Sequence, residues 1–395
     1  MATQTRKPVK KQNPKRMREE EIKARKAAAK KKQTAKQQSK KKRSKILLFI
    51  AEIFVLLIMV VVLYGVLKTE KVGKVDIPEK DIVINEEVKQ AVDSGEASMK
   101  GYWNIALFGV DSRTGALDKN TRSDTIMIAS INMDTGECKL VSVYRDTYLN
   151  LSNDSYNKCN GAYASGGPKQ AINMLNMNLD MNITDFVTVG FEGLTDTIDA
   201  LGGVEIDIRE EEISYLNNYQ ISMVGTTTDD VNFYATAGVD YTPVTSAGRQ
   251  TLNGLQATAY CRIRHIGNDF ERTQRQRTVL AAIAEKAKKA SPAELNEIAN
   301  KVFKETYTSL DLSEIVELLS NVAKYEIVDE GGFPEESMRA TGTIGAKGSC
   351  VVPVSLSENV SWLHEFLFGE ENYTPSSAVQ KYSEKIHADT SGYVN

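Results

Sequence analysis

The sequence predicts an α/β domain carried behind one transmembrane helix, and three observations predict it. The runs NIALFGV, DTIMIASI, CKLVSV, DFVTVG and GVEIDI, between Asn104 and Ile208, are rich in β-branched residues and bounded by Gly, Asn and Asp, the mark of buried strands. Helical patterns lie between and after them, and strands alternating with helices imply a sheet covered on both faces. A single long apolar run precedes the whole.

Taken in order, the first 45 residues hold 19 of the 49 Lys and Arg and only three acids, Glu19, Glu20 and Glu21. The formal charge of −3 therefore hides a tail of +16 on a body of −19. The tail, 1–45, reads as a disordered cytoplasmic segment that fixes topology and lies against anionic lipid. Its Lys/Ala/Gln composition lacks interleaved aromatics, so no nucleic-acid partner is expected. The run Ile46–Leu67 carries Glu52 as its one ionisable residue, and as a helix it covers about 33 Å, enough for a bilayer core. It is too long for a cleaved signal peptide and gives way to Lys68, Thr69 and Glu70, so it reads as a retained anchor. The positive charge before it puts the N-terminus in the cytoplasm and the body outside the cell membrane.

Residues 68–100 read as a polar stalk with a short helix around Glu86 to Val92. The domain is expected over 101–370, without internal repeat or linker, and 371–395 as a C-terminal tail. Within the domain, Pro168 opens a helix through Ala171, Ile172, Leu175 and Leu179, and Leu194, Ile198 and Leu201 precede the Gly202-Gly203 stop. Ser291-Pro292-Ala293-Glu294 is a capping-box start, another helix is expected near Asp311, a strand at Cys350–Val354, and a helix through Trp362, Phe366 and Leu367. Cys138, Cys159, Cys261 and Cys350 show no CxxC spacing, which argues against zinc and leaves their redox state open.

Three constellations carry chemistry. GVDSR (Gly109–Arg113) follows a strand and TRSDT (Thr121–Thr125) opens the next, so Asp111 and Asp124 sit at two strand ends joined by one loop. Two carboxylates without Cys or His suit a hard cation such as Mg²⁺, and the bland alternative is a pair of turn aspartates. VYRDT (Val143–Thr147) closes the third strand with Arg145 and Asp146, which is either a surface ion pair or part of a ligand site at the carboxyl ends of the strands. YCRIRHIGNDFERTQRQR (Tyr260–Arg277) is the strongest. On a helix starting near Asp269, Arg272, Arg275 and Gln276 fall at i, i+3 and i+4, while Arg262 and Arg264 point inward from a helix end or turn. The guanidinium group grips phosphate bidentately, so the cluster points to a phosphate or pyrophosphate ligand, against a solvated basic face that would favour Lys. No GxSxG elbow, P-loop or GxGxxG is present, and His265, His364 and His387 have no Ser or Cys arranged with them.

The ordered motifs NIALFGVDSR, RSDT, VSVYRDT, NKCNGAY with a following GG, DALGGVEIDI, LNGLQATAYCRIRH and DFERTQRQR resemble the LytR-CpsA-Psr catalytic domain over roughly Gly101 to Val354. The chain departs from the pattern at Tyr144, where the family usually has proline, and by the extra Asn268 beside Asp269. The resemblance implies a three-layer αβα sandwich around a mixed sheet, a long apolar tunnel for a polyprenyl tail and a rim of arginines on its pyrophosphate. By motif, Asp111 and Asp124 would bind Mg²⁺ or Mn²⁺, and Arg122, Arg145, Arg262, Arg264, Arg272, Arg275 and Gln276 the phosphates. Arg113, Lys158 and Asn160 would support them, Asp146 would orient Arg145 or act as base, and Asp269 would hold the arginines.

The implied activity is transfer of a glycopolymer (teichoic acid, capsule or another wall polysaccharide) from polyprenyl pyrophosphate to a peptidoglycan sugar hydroxyl in a Gram-positive wall. It is phosphoryl transfer, needing positioning and charge neutralisation, with Asp124 or Asp146 as proton acceptor. The rivals are a polyprenyl-pyrophosphate hydrolase and a non-catalytic, lipid-sensing envelope regulator.

Overall fold

The computed structural model describes residues 73–394 except 112–116, 119, 228–232, 292–294, 296–305 and 311–322. All fall within one compact unit, Val66–Asn395. The basic tail, the expected membrane span, Arg113, and the helices expected from Pro292 and Asp311 lie outside the described residues. No helix among the described residues is long and apolar enough to cross a membrane.

In chain order the strands are β1 (Gly73–Lys74), β2 (Tyr102–Val110), β3 (Ser123–Asn132), β4 (Glu137–Val143), β5 (Tyr148–Asn150), β6 (Tyr156–Lys158), β7 (Asp185–Gly190), β8 (Val204–Ile208), β9 (Thr226–Thr227), β10 (Phe233–Tyr234), β11 (Gly248–Leu252), β12 (Thr306–Thr308), β13 (Glu326–Phe333), β14 (Arg339–Thr343) and β15 (Ser349–Pro353). The α-helices are α1 (Glu86–Ser94), α2 (Asn160–Leu179), α3 (Phe191–Ala200), α4 (Glu210–Val224), α5 (Gly254–Arg262), α6 (Asp269–Ala287), α7 (Leu356–Phe368) and α8 (Ser377–Thr390). Seven strands form the central sheet in the order β1-β12-β7-β2-β3-β4-β13. It is mixed: β7 runs parallel to β2 and β13 to β4, whereas β3 is antiparallel to both its neighbours.

Alternation along the strands explains the layers. Ala106, Phe108 and Val110 of β2, Ile126 and Ile128 of β3, and Val141 and Val143 of β4 enter the core shared with α2, α7 and α8. Their alternates Ile105, Ile131, Cys138 and Leu140 enter a second core with Leu280 of α6 on the other face. A sheet buried on both faces reads as continuous apolar runs. GVEIDI is the exception: β8 pairs with β11 in a separate two-stranded sheet, alternates buried and exposed, and packs with α3 to α6 in a third cluster.

The helix expected from Pro168 is present and extends further back. Gly166 and Gly167 break α2 with non-helical dihedrals, and Pro168 restarts it. The folded unit also passes both limits drawn from the sequence. Val75, Ile77 and Ile82 of the expected stalk pack on the main core, and Val379 and Ile386 of the expected C-terminal tail are fully buried in it. Both segments are polar on average, and a few apolar side chains suffice to dock them, Val379 and Ile386 at helical spacing in α8 and Val75, Ile77 and Ile82 in the stretch before α1.

Candidate active site

Strand direction gathers the motifs. β2, β4 and β7 end at the same side of the sheet, and the antiparallel β3 begins there, so Asp111, Asp124, Arg145 and Phe191 share one edge. Asp124 owes its exposure to a bulge: Gly109 pairs with Thr125 and Val110 with Ser123, leaving Asp124 the extra residue. The α5 end and the α6 start bring Arg262, Arg264, Asp269 and Arg272 to this edge, with Asn253 and Asn268 as the two N-caps.

The centre is an ion network. Arg145 Nη1 donates to Asp124 Oδ1 at 2.5 Å, and its Nε lies 3.6 Å from Asp146 and 3.8 Å from Asp269. Arg264 approaches the other Asp124 oxygen at 3.4 Å. Arg272, 2% exposed, is ion-paired with Asp269 at 2.8 Å and donates to the Asp124 carbonyl at 3.2 Å. Lys158 holds Asp146 at 3.2 Å, and the Asn160 N–H, at the head of α2, donates to the Arg145 carbonyl at 3.1 Å. Arg262 lies 3.8 Å from Asp111 and stacks over Phe191 at 4.8 Å and Tyr219 at 5.8 Å. Burial works against the Arg145 charge, but the three aspartates outweigh it and raise its pKa. For Arg272 burial wins, aided by the charges of Arg264 and Arg145 and opposed by Asp269, and the guanidinium is pulled down to about 10. Burial likewise raises the pKa of Asp269 against the pull of Arg272 and Arg145.

Asp111, Asp124, Arg262, Arg264, Arg272 and Gln276 line one cavity of about 140 Å³, closed by Phe191, Tyr219 and Cys261. Arg272 Nε and Gln276 Oε1 are buried without a hydrogen-bond partner. Such groups are rare because each costs its full desolvation, so a donor and an acceptor left open beside a cavity mark a place for a ligand.

The chemistry of the donors fits a hard cation. Two carboxylates line the cavity, and Mg²⁺ can be held by one or two protein carboxylates with phosphate oxygens and water completing its shell.

Two expected phosphate ligands stand elsewhere. Arg275, 2% exposed, is paired with Glu212 at 2.7 Å and Glu271 at 3.1 Å and donates to the carbonyls of Ile263 and Ile266. The i+3 and i+4 positions diverge by about 100° around the helix, so Gln276 reaches the cavity and Arg275 turns inward. Arg122 is exposed just before β3 and makes no ion pair among the described residues.

Residues 66–348 match the family model described as LytR_cpsA_psr. The chain belongs to the LytR_cpsA_psr family. It is 32% identical over 229 residues to TagU of Oceanobacillus iheyensis, named a polyisoprenyl-teichoic acid–peptidoglycan teichoic acid transferase, covering 56% of this chain and 62% of that protein. The match thus spans less than two thirds of that relative. It is 25% identical over 317 residues to biofilm regulatory protein A of Streptococcus mutans, covering 71% and 73%. Among solved structures, Bacillus subtilis TagT bound to LI-WTA superposes with a TM-score of 0.53 at 21% identity, over 69% of this chain and 93% of that one, and shares its fold.

Within this LytR_cpsA_psr domain the aromatic wall was missed in the sequence. Phe191 begins a helix directly after a strand and Tyr219 lies mid-helix, and neither carries a motif. Tyr144, in the place where the resemblance expects proline, donates nothing to the ion network. Its ring meets Phe270 edge-on at 4.5 Å, and its hydroxyl accepts from Arg339 at 2.9 Å. Asn268 is absorbed as the α6 cap, accepting from the Phe270 and Glu271 N–H groups. His265 stacks on Tyr215 and Tyr219, a structural role. All four cysteines are free and buried.

Proposed function

We propose that this protein is a membrane-anchored phosphotransferase that moves a glycopolymer from a polyprenyl-pyrophosphate carrier to a peptidoglycan sugar hydroxyl. The supporting observation is the cavity that gathers two carboxylates, three arginines and two unpartnered polar atoms at one sheet edge. Its lining carries a net charge of +1, and its size takes a pyrophosphate head, with the lipid tail extending past the residues that line it. The names of relatives as teichoic acid transferases point the same way. The anchor at Ile46–Leu67 and an external domain complete the reading.

In the proposed reaction the acceptor hydroxyl forms a bond to the sugar-proximal phosphorus as the bond from that same phosphorus to the bridging oxygen breaks, the oxygen leaving with the lipid-side phosphate. Polyprenyl phosphate leaves, and the hydroxyl proton passes to Asp146, the carboxylate beside Arg145 that is not also assigned to the metal. Arg262, Arg264 and Arg272 hold the phosphates in line, and Arg145, fixed by three aspartates, meets charge developing on the transferred group. Asp111 and Asp124 would hold Mg²⁺, which would supply further neutralisation of the negative charge on the pyrophosphate.

The test is transfer from a purified lipid-linked donor to isolated peptidoglycan with Mg²⁺. Arg262→Ala should lower kcat/KM about 10- to 100-fold through loss of a charge-assisted phosphate contact, and chelation should suppress the reaction. Release of the glycopolymer to water at the same rate with and without peptidoglycan would identify a hydrolase instead. Full transfer by both Asp111→Ala and Asp146→Asn would sink the carboxylate assignments.

A further inference from the structure

On the other side of α6 from the arginine pocket lies a cleft of about 560 Å³. Phe270, Gln274 and Arg277 face it at i, i+4 and i+7, whereas Arg272 and Gln276 face the arginine pocket, so α6 is a partition between two cavities. The cleft borders the ion network. Arg145 and Asp269 stand 3.8 Å apart in the ion network, and their chain neighbours Tyr144 and Phe270 stand edge-on, with ring centroids 4.5 Å apart, in the wall of the cleft.

The chemistry of the cleft differs from that of the pocket. Trp362 and Phe366 stack on each other at 5.3 Å and are half-buried along one wall. Gly331 and Gly332 form the facing strand end, where a Cβ on Gly332 would sit 1.9 Å from the Tyr144 hydroxyl. Four glutamates and two arginines line the cleft, a net of −2, which repels phosphate. Arg277, 5% exposed, is paired with Glu330 at 2.8 Å through Nε, yet its Nη1 is buried without a hydrogen-bond partner. Aromatic faces that pack against ring C–H groups, flanked by carboxylates and an unused guanidinium donor that bond hydroxyls, are what a neutral saccharide requires.

We propose that this cleft binds the acceptor glycan strand, holding its sugar rings against Trp362 and Phe366 with one hydroxyl directed past Tyr144 and Phe270 toward Arg145. The identity of the glycan as the acceptor rests on the transferase reading, and the presence of a saccharide site does not. The two cavities then divide the substrates: lipid pyrophosphate on the Arg272 side of α6, glycan on the Arg277 side.

The experiment uses the full chain in detergent and a β-1,4-linked N-acetylglucosamine hexamer as the probe. The chain has two tryptophans, so Trp103→Phe leaves Trp362 as the sole indole reporter. Saturable change in its emission is expected, weakened about 10-fold by Arg277→Met and by Phe366→Ala. Gln274→Ala, at an exposed position whose side chain accepts from Arg277 Nη2, should weaken it to a smaller extent. In the transfer assay Arg277→Met and Phe366→Ala should raise the acceptor KM about 10-fold and leave the donor KM unchanged, the reverse of Arg262→Ala. No saturable response up to millimolar hexamer, wild-type affinity in both the folded Gln274→Ala and Arg277→Met proteins, or a response to polyprenyl phosphate in place of the hexamer would overturn the assignment. If wild-type protein bound the hexamer but transferred nothing, the saccharide site would stand and the transferase reading would fall.

Discussion

At the scale of single residues, burial decides which charges serve a ligand and which serve the fold. Arg275 and Arg262 look alike in the sequence, yet Arg275 is sealed against Glu212 while Arg262 remains a quarter exposed against Phe191. Removing one member of a buried pair strands the other, so Arg275→Met should cost about 3–5 kcal/mol of stability, read as a lower urea midpoint. Arg262→Ala should leave that midpoint nearly unchanged and act on catalysis. His364 provides a pH signature. It is fully buried, stacked on Tyr373 at 3.6 Å, with Nε2 at 3.0 Å from the Leu179 carbonyl, and burial pushes its pKa down to about 4 from the ordinary 6.5. Because the folded value lies below the unfolded one, the neutral ring's contribution is complete above pH 6.5 and is lost as pH falls toward 4. The loss is about 3 kcal/mol. Urea unfolding at pH 7.5 and 4.5 should show that difference in the wild type relative to His364→Gln.

At the scale of elements, close packing of helices sets the spacing of the site. A Cβ on Gly254, at the start of α5, would lie 2.2 Å from the Thr195 carbonyl oxygen in α3. α5 ends in Arg262 and α3 begins with Phe191, so the cation–π contact depends on how nearly these helices touch. Gly254→Ala should push them apart, at a cost of about 1–3 kcal/mol measured by thermal melting. It should also raise the donor KM, although the substitution touches no ligand. Unchanged melting and unchanged KM would show that the contact gives way freely. α6 works through three faces at once, one to each cavity and one, carrying Arg275, to the interior.

At the scale of the molecule, one buried carboxylate joins the parts that the sequence set apart. Asp180 caps α2 in a left-handed conformation and accepts from Asn85 Nδ2 at 2.6 Å, from the Ser376 N–H at 2.7 Å and from the Ser376 hydroxyl at 2.6 Å. Burial raises its pKa, and the bonds from Asn85 and Ser376 oppose that shift. The expected stalk, domain and tail thus share a single polar contact beneath α8. Ending the chain after residue 370 removes two of these donors and the fully buried Val379 and Ile386. Each apolar side chain contributes about 1.5–3 kcal/mol, so the truncated protein should melt well below the full chain, and proteolysis should reach α2.

Local sequence by itself determined the strands β2, β3, β4 and β7, the helix restart at Pro168, and the residue types of the site. A sheet buried on both faces must be apolar throughout, and phosphate and cation ligands come from few side chains. It also placed Asp111, Asp124 and Arg145 at strand ends, and parallel and antiparallel pairing then put those ends together. Only the tertiary structure decided that Asp124 is the bulged residue, that Arg275 turns from the cavity while Gln276 faces it, and that Phe191 and Tyr219 wall the pocket. The same holds for the ends of the domain and for the cleft beside Tyr144, whose lining comes from segments more than 200 residues apart. Spacing along a chain fixes the angle between neighbours on one helix. Which of those angles meets a cavity, a carboxylate or the core depends on what the rest of the chain packs against it.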